Sequence, residues 1–380
     1  MLKMSKKKST AYFKIIDRYI LNETIGPFLI GTGFFTFIFV IQKIRDLVKL
    51  SIEKAIPIYV TAQLFLYMLP FTAAITIPMG VLFGILLAFG RLSSHSEIIA
   101  MRANGISIYR TFLPAGLFGI IISAGLFIFI NYVVPETNLR YRILYRSVMY
   151  SNPGIFLEDR VFTDLPNTQK KISSLSVSED GNEMDSVFIY ELENNKIKIT
   201  YAKKGMWSNN NVNSPLISLH LKNGRSFEIG LNDFKEIQNL EFGEIEMNII
   251  NTIRSTDAEI VPGPRESSVW TIARQIKEKK DTHKYVSSKL YVELHKKITI
   301  PVACLAFVII GMPLAVSFNR SGRGIGFVSA IIIIFVYYLF MVLGETLGNK
   351  DMISPHFSMW IPNFVLFVIG IFLFIQKTKE

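Results

Sequence analysis

The chain of 380 residues is half hydrophobic and 13 % aromatic, too apolar for an ordinary soluble domain, yet residues 135–289 form a polar middle that no bilayer core could host. An integral membrane protein with one large water-exposed insert satisfies both facts. Its net charge of +11 is accounted for by membrane orientation and anionic lipid, so no nucleic-acid partner is inferred. The single cysteine, Cys304, lies in an apolar run and reads as packing, which excludes an intramolecular disulfide and a cysteine-based metal centre.

In chain order, Lys6, Lys7 and Lys8 precede Tyr12, Phe13, Ile15, Ile16, Tyr19 and Ile20 at helical spacing, with Lys14, Asp17 and Arg18 between them. That pattern predicts an interfacial helix on the cytoplasmic leaflet feeding a first span over residues 28–48. The basic start is not followed by an apolar core and small-residue cleavage site, so no cleavable signal peptide is expected. The next apolar region, 56–92, contains Pro57, Pro70 and Pro78 and could be two spans or one. Charge favours one, because a single crossing returns Arg91, Arg102 and Arg110 to the side of the lysine-rich start.

Between residues 91 and 107 a short polar insert reads as a helix over 94–105. Ser94 or Ser96 is the expected cap, Glu97 lies in the first turn, and Gly105 suits a left-handed stop. Leu92, Ile98 and Met101 fall along one side. So short a helix is marginal alone and needs something docked on it. A third span, 108–134 with Pro114, leads outward.

From residue 160 to 251 the period changes to that of strands, at 187–190, 197–201, 216–221 and 227–229. Turn chemistry stands between them at Asp180-Gly181-Asn182, Asn194-Asn195, Asn209 to Asn211 and Asn223-Gly224, the last being the strongest hairpin signal. An antiparallel sandwich or open jelly roll is expected. Pro262-Gly263-Pro264 ends the sheet, and a helix starts near Ser267 or Ser268 and runs through Trp270, Ile272, Ile276 and Lys279. Three further spans follow at 290–318, 325–344 and 357–375. The predicted fold is thus six transmembrane helices with an inserted antiparallel, jelly-roll-like β domain outside the membrane. Both termini are inside, and the divisions are 1–135, 136–289 and 290–380.

The chain carries no P-loop, and His95, His220, His283, His295 and His356 are scattered without metal spacing, so no cofactor is expected. Gly322 to Gly326 reads as a tight cytoplasmic turn, and Glu345 as a lone acid at a helix end. Without catalytic groups, transport or scaffolding remains. One loop resists the orientation rule: Lys43, Arg45, Lys49 and Lys54 outweigh Asp46 and Glu53 on the outer side. They are either snorkelling side chains or a cationic collar for a phosphorylated lipid headgroup, extended by Arg140, Arg142 and Arg146.

Asp17-Arg18-Tyr19-Ile20 with Glu23, Arg91-Leu92 with Glu97-Ile98 and Arg102 to Ser107, and Lys296-Lys297-Ile298 before Pro301 with Gly311 to Leu314 together resemble the LptF/LptG (YjgP/YjgQ) permeases of lipopolysaccharide export. The resemblance implies an inner-membrane heterodimer of two sister permeases around a cavity that takes lipopolysaccharide from the outer face of that membrane. External jelly rolls would join a periplasmic bridge of the LptC/LptA type, and a cytoplasmic LptB ATPase dimer would supply the energy. It also makes residues 94–105 the coupling helix, with Glu97 the principal ATPase contact and Arg91 and Arg102 supporting ones. Lys43, Arg45 and Lys49 occupy the region that meets lipid A phosphates in the family, beside Arg140 and Arg142. Phe188, Tyr190, Ile197, Ile199, Leu219 and Leu221 are candidates for an acyl-chain lining or for a plain closed core. The other class of reading is a non-transporting scaffold, akin to lipoprotein-release or mechanotransmission permeases, which are expected to have four spans rather than six.

Overall fold

The computed structural model describes residues 9–52, 56–151, 157, 159–164, 170–178, 182–193, 196–208, 216–230, 237–251, 262–283, 285–317 and 323–379. Lys6 to Lys8, Lys54, the turns at 180–181, 194–195 and 209–211, and the basic loop at 318–322 lie outside them, as does the side chain of Lys49.

Eight α-helices are described: α1 (Ser9–Ile52), α2 (Ile58–Ser94), α3 (Glu97–Ala103), α4 (Ile108–Ser151), α5 (Val269–Asp281), α6 (Ser288–Ser317), α7 (Arg323–Asn349) and α8 (Pro355–Lys379). Six of them are long and apolar enough to cross a membrane, as expected. Residues 56–92 do form one span, α2, with Pro70 and Pro78 inside it. The expected interfacial helix and the first span it feeds are one helix, α1. α1 is continuous through Pro27, as α4 is through Pro135, so the helix runs past residue 134 to Ser151. A proline removes one intrahelical bond, but in lipid the alternative is unsatisfied backbone, so helix persists.

The described chain divides into two compact units. One holds α1 to Gln42, residues 67–139 and the chain from Pro262; the other holds residues 43–66 and 140–261. α5 groups with the helical unit rather than with the sheet, because Ile272 and Ile276 pack on Leu290 of α6.

Within the helical unit α2 and α6 are central, with 72 % of their most apolar stretch buried, against 22–33 % for the other four spans. The apolar side chains left exposed on those four are what a lipid-facing surface requires. Without water to drive them together, helices in lipid associate through close packing, which needs small residues. Gly80 and Gly84 of α2 meet α1 at the backbone of Thr32 and Phe28, and a methyl added at Gly84 would sit 3.0 Å from Phe28 Cα.

The second unit contains one six-stranded antiparallel sheet in chain order: β1 (Thr163–Asp164), β2 (Lys170–Val177), β3 (Glu183–Glu193), β4 (Lys196–Ser208), β5 (Leu216–Gly230) and β6 (Ile237–Asn251). The described strands therefore form a single meander, not the two sheets of a sandwich. Asn223-Gly224 is not a hairpin. It lies inside β5, which pairs with β4 and β6 on both sides of it.

A line across the sheet explains this. Leu175, Ser186, Lys203, Asn223 and Gly243 stand opposite one another on successive strands, and each is skipped by the pairing, although register is kept on either side. Ser186 and Asn223 have positive φ, at 52° and 54°. Alternation inverts across the line. The inward row on one side is Ser174, Val187, Ala202, Gly224 and Phe242; on the other it is Val177, Met184, Gly205, Leu221 and Ile245. The sheet is creased there, and both arms turn the same face into one apolar core. Small residues fill the corner: a Cβ at Gly205 would come within 2.8 Å of Val187 Cγ2, and one at Gly224 would run into the Phe242 ring and the Tyr201 carbonyl.

Asn tolerates positive φ better than other residues with a Cβ, which cost about 1–2 kcal/mol there. Asn223→Ala should therefore weaken the sheet by about 1 kcal/mol while Asn223→Gly leaves it intact, as read by hydrogen exchange of the β4 and β5 amides in the full chain.

Candidate functional site

α3 has seven residues and closes as anticipated at its C-terminus. Ile106 N–H donates to the Met101 carbonyl (3.0 Å) and Gly105 N–H to that of Arg102 (2.9 Å), with Gly105 at φ +81°. That is a Schellman stop, which only a residue at ease in the left-handed region closes without strain. The N-terminus differs from expectation. Ser96 precedes α3 in the left-handed region (φ 57°) and makes no side-chain cap, while the Ser94 hydroxyl turns back to the Arg91 carbonyl (2.9 Å) and closes α2. Glu97 then complements the positive helix end by charge.

What steadies α3 is α1. Ile20 and Thr24 of α1 are fully buried, and Ile98 of α3 is only 2 % exposed. On one flank of that buried stripe the Tyr19 hydroxyl donates to Glu97 Oε2 (2.8 Å) and Glu23 pairs with Arg91 at the end of α2. On the other flank Asp17 Oδ2 accepts from Arg110 Nη2 at the start of α4 (2.5 Å). Residues 19 and 23 are one turn apart and share a side; residue 17 falls across the stripe from them. α1 thus straddles the loop region and grips the ends of α2, α3 and α4 together. Burying side chains such as Ile20 and Ile98 contributes about 1.5–3 kcal/mol each. A partly exposed ion pair adds about 1 kcal/mol or less, so the polar contacts orient more than they hold.

Arg91 is therefore committed to Glu23, and Arg102 lies exposed in the last turn of α3. Ile99, 55 % exposed, and Ala100 and Ala103 complete an outward face that nothing in the described chain covers. Asp17, Tyr19 and Glu23 were visible in the sequence as a motif, but nothing in their spacing shows that they meet residues 68 to 93 positions away.

The basic residues at the far ends of the helices keep their place on α1 and α4. Lys43, Arg45 and Arg140 are exposed and Arg142 is half-buried; all four belong to the unit that holds the sheet. Glu345 is not the isolated acid that hydropathy suggested. It pairs with Lys296 (2.7 Å) and Arg265 (3.9 Å), and Arg265 also reaches Glu293 (3.3 Å). Lys297, 5 % exposed, donates to the Arg265 carbonyl (3.4 Å). Beside them the Trp360 indole donates to His295 Nδ1 (3.3 Å). Among the described residues no cluster of three or more metal-ligating side chains occurs.

The six candidate lining residues of the sheet separate onto two faces. Leu219 and Leu221 lie in the closed core, at 0 and 1 % exposed. Phe188, Tyr190, Ile197 and Ile199 come together on the opposite face, where Tyr190 stands across from Ile199, Leu192 from Ile197, and Phe188 from Tyr201 with ring centroids 4.9 Å apart. Phe188, Leu192 and Ile199 are 42, 39 and 36 % exposed. Phe227 extends this face on β5, and a hollow beside it is lined by Phe188, Tyr201, Arg225, Phe227 and Glu241. Beyond the crease the same outward side is charged, with Asp185, Lys204, Lys222 and Glu244 in one row. Leu192, Tyr201 and Phe227 were not among the candidates for that lining, although the alternation of β3 and β4 carries the first two.

Residues 18–376 match the family described as lipopolysaccharide export system permease LptF/LptG. The lipopolysaccharide export system permease protein LptF of Escherichia coli (strain K12) is 22 % identical over 371 residues, covering 96 % of this chain and 95 % of that protein. The LptF proteins of Escherichia coli O157:H7 and Shigella flexneri align with the same identity and coverage. The match over nearly the whole chain, together with six apolar helices and an inserted antiparallel sheet, makes the chain an inner-membrane permease of the LptF/LptG family of lipopolysaccharide export.

Proposed function

We propose that this chain is one of two sister permeases that take lipopolysaccharide out of the inner membrane and pass it to a periplasmic bridge of LptC/LptA type, driven by a cytoplasmic LptB ATPase dimer. The observation that carries this reading is the grip of α1 on α3 through Tyr19 and Glu97, Glu23 and Arg91. It supports the short helix from inside the membrane protein and leaves its outer face, with Ile99 and Arg102, for a soluble partner.

Orientation follows from charge. Arg18, Arg91, Arg102, Arg110 and Lys377 belong to the cytoplasmic side, which puts both termini inside and the sheet in the periplasm. Extracting a lipid with several acyl chains opposes about 0.8 kcal/mol for every methylene withdrawn, so the cycle needs an outside energy source, and the chain has no P-loop of its own. Lys43, Arg45 and Lys49 on α1, with Arg140 and Arg142 on α4, receive the phosphorylated headgroup. The outward apolar face of Phe188, Tyr190, Ile197 and Ile199 then offers the acyl chains a surface outside the bilayer, where crossing bare water would forfeit about 25 cal/mol per Å². Six spans rather than four speak against the scaffold alternative.

Glu97→Ala should leave membrane insertion intact and lower co-purification of the ATPase by about tenfold or more, the scale of a truncated interface charge. Tyr19→Phe keeps the carboxylate and loses only its orientation, so its effect should be a few-fold; equal retention in both variants would refute the docking role. Lys43→Glu combined with Arg45→Glu should reduce photo-crosslinking of lipopolysaccharide, whereas unchanged crosslinking would leave those side chains as snorkelling cations.

A further inference from the structure

We infer that the outward face of α5 is a membrane-surface element whose partner is the anionic phospholipid headgroup layer. α5 is amphipathic, and its apolar stripe, Val269, Ile272 and Ile276, is already buried in the helical unit. The opposite side carries Trp270, Arg274 and Lys277, spaced by four and three residues and so aligned on one face. All three are exposed, the indole at 64 %. A tryptophan left open to this degree beside two cations has no explanation in the chain's own packing.

Two contacts set the depth of α5 along the bundle. At its start Val269 N–H donates to Asn131 Oδ1 (2.9 Å), and Asn131 lies three residues before the apolar stretch of α4 ends at Val134. The indole next to it therefore sits at the boundary between hydrocarbon and headgroups, where tryptophan is favoured. Further along, Ile272 and Ile276 pack on Leu290 of α6. The apolar run of α6 begins at Ile298, eight residues later, which places Leu290 about 12 Å further out along the axis. α5 consequently slopes from the hydrocarbon edge into the phosphate layer, and Arg274 and Lys277 reach that layer one and two turns beyond the indole.

Charge complements that setting. Arg274, Lys277, Lys279 and Lys280 outnumber Glu278 and Asp281 along α5, and Lys280 is also held over the Tyr291 ring of α6 at 5.6 Å. Cations near an anionic leaflet gain roughly fivefold in affinity apiece, so the helix anchors the segment leading from the sheet into α6 at a fixed height on the membrane. This inference rests on the bundle crossing a bilayer and is independent of which partners supply energy or receive lipid.

The experiment uses the full chain with Trp207→Phe and Trp360→Phe, leaving Trp270 as the sole indole, in nanodiscs containing phosphatidylglycerol or phosphatidylcholine with brominated acyl chains. If the double replacement does not fold, the difference in emission between the unaltered chain and Trp270→Phe gives the same quantity. We expect at least about twofold quenching by brominated lipid, stronger with phosphatidylglycerol, and loss of that preference in Arg274→Gln with Lys277→Gln while quenching itself persists. Quenching by iodide instead of bromolipid would overturn the proposal by placing the indole in water. Resistance to both would overturn it by showing a protein cover, and equal quenching by the two lipids would overturn the headgroup assignment.

Discussion

A helix of seven residues does not persist in water by itself, because its nucleation cost is spread over too few hydrogen bonds. α3 exists because Ile98 is buried, because Gly105 lets the chain turn back, and because Tyr19 and Glu23 of α1 fix the position of its carboxylate and of the arginine before it. Each polar contact is weak. Their value lies in direction, since they tie the orientation of α3 to that of α1, and Arg110 with Asp17 ties α4 to the same helix. A force applied to the exposed side of α3 therefore meets three helix ends held as one piece.

α1 and α4 have 44 residues each, about 66 Å of helix, roughly twice a hydrocarbon core. Both run without interruption from the gripped end to their basic far ends at Lys43 and Arg45 or at Arg140 and Arg142. Unbroken passage through Pro27 and Pro135 keeps the backbone of both helices satisfied where lipid offers no partner. At the other end of the helical unit, Arg265 is held by Glu293 and Glu345, and Val269 by Asn131. The strand-to-span segment is thereby fastened to α4, α6 and α7. In a low-dielectric setting such groups are costly unless all are partnered, and here each carboxylate meets a cation.

Much of this was legible in the sequence because the bilayer imposes a strict length and polarity on what crosses it. The six spans, the single crossing at 56–92 and the short insert at Glu97 follow from apolar runs and the placement of arginines. The sheet was legible by period, but its shape was not. Asn223-Gly224 announces a positive φ, and a two-residue hairpin is the commonest reason for one. Here the same preference serves a crease in which neighbouring strands each skip one residue, and Gly224 is small because Phe242 lies across it. No window of one strand contains that information; it is stored in the alignment of Leu175, Ser186, Lys203, Asn223 and Gly243 across five strands. The grip of α1 escaped for a related reason, since hydropathy and spacing report the side of a helix and not its distant partner.

The crease also decides which apolar residues are available. In a regular strand, alternation would assign Phe188 and Leu219 by parity alone, and both would be candidates for the same lining. By inverting the phase, the sheet sends Leu219 and Leu221 into the shared core and leaves Phe188, Tyr190, Ile197 and Ile199 outward on one arm, while the corresponding side of the other arm is charged. The charges of the outward row beyond the line balance across the strands, Asp185 and Glu244 standing with Lys204 and Lys222, and Lys222 pairs with Glu244 at 3.0 Å. Without the inversion, unbroken alternation would turn Asp185, Lys204, Lys222 and Glu244 into the core on the side of Val187 and Ala202, so the crease is what keeps one sheet's charges in water and its apolar rows together.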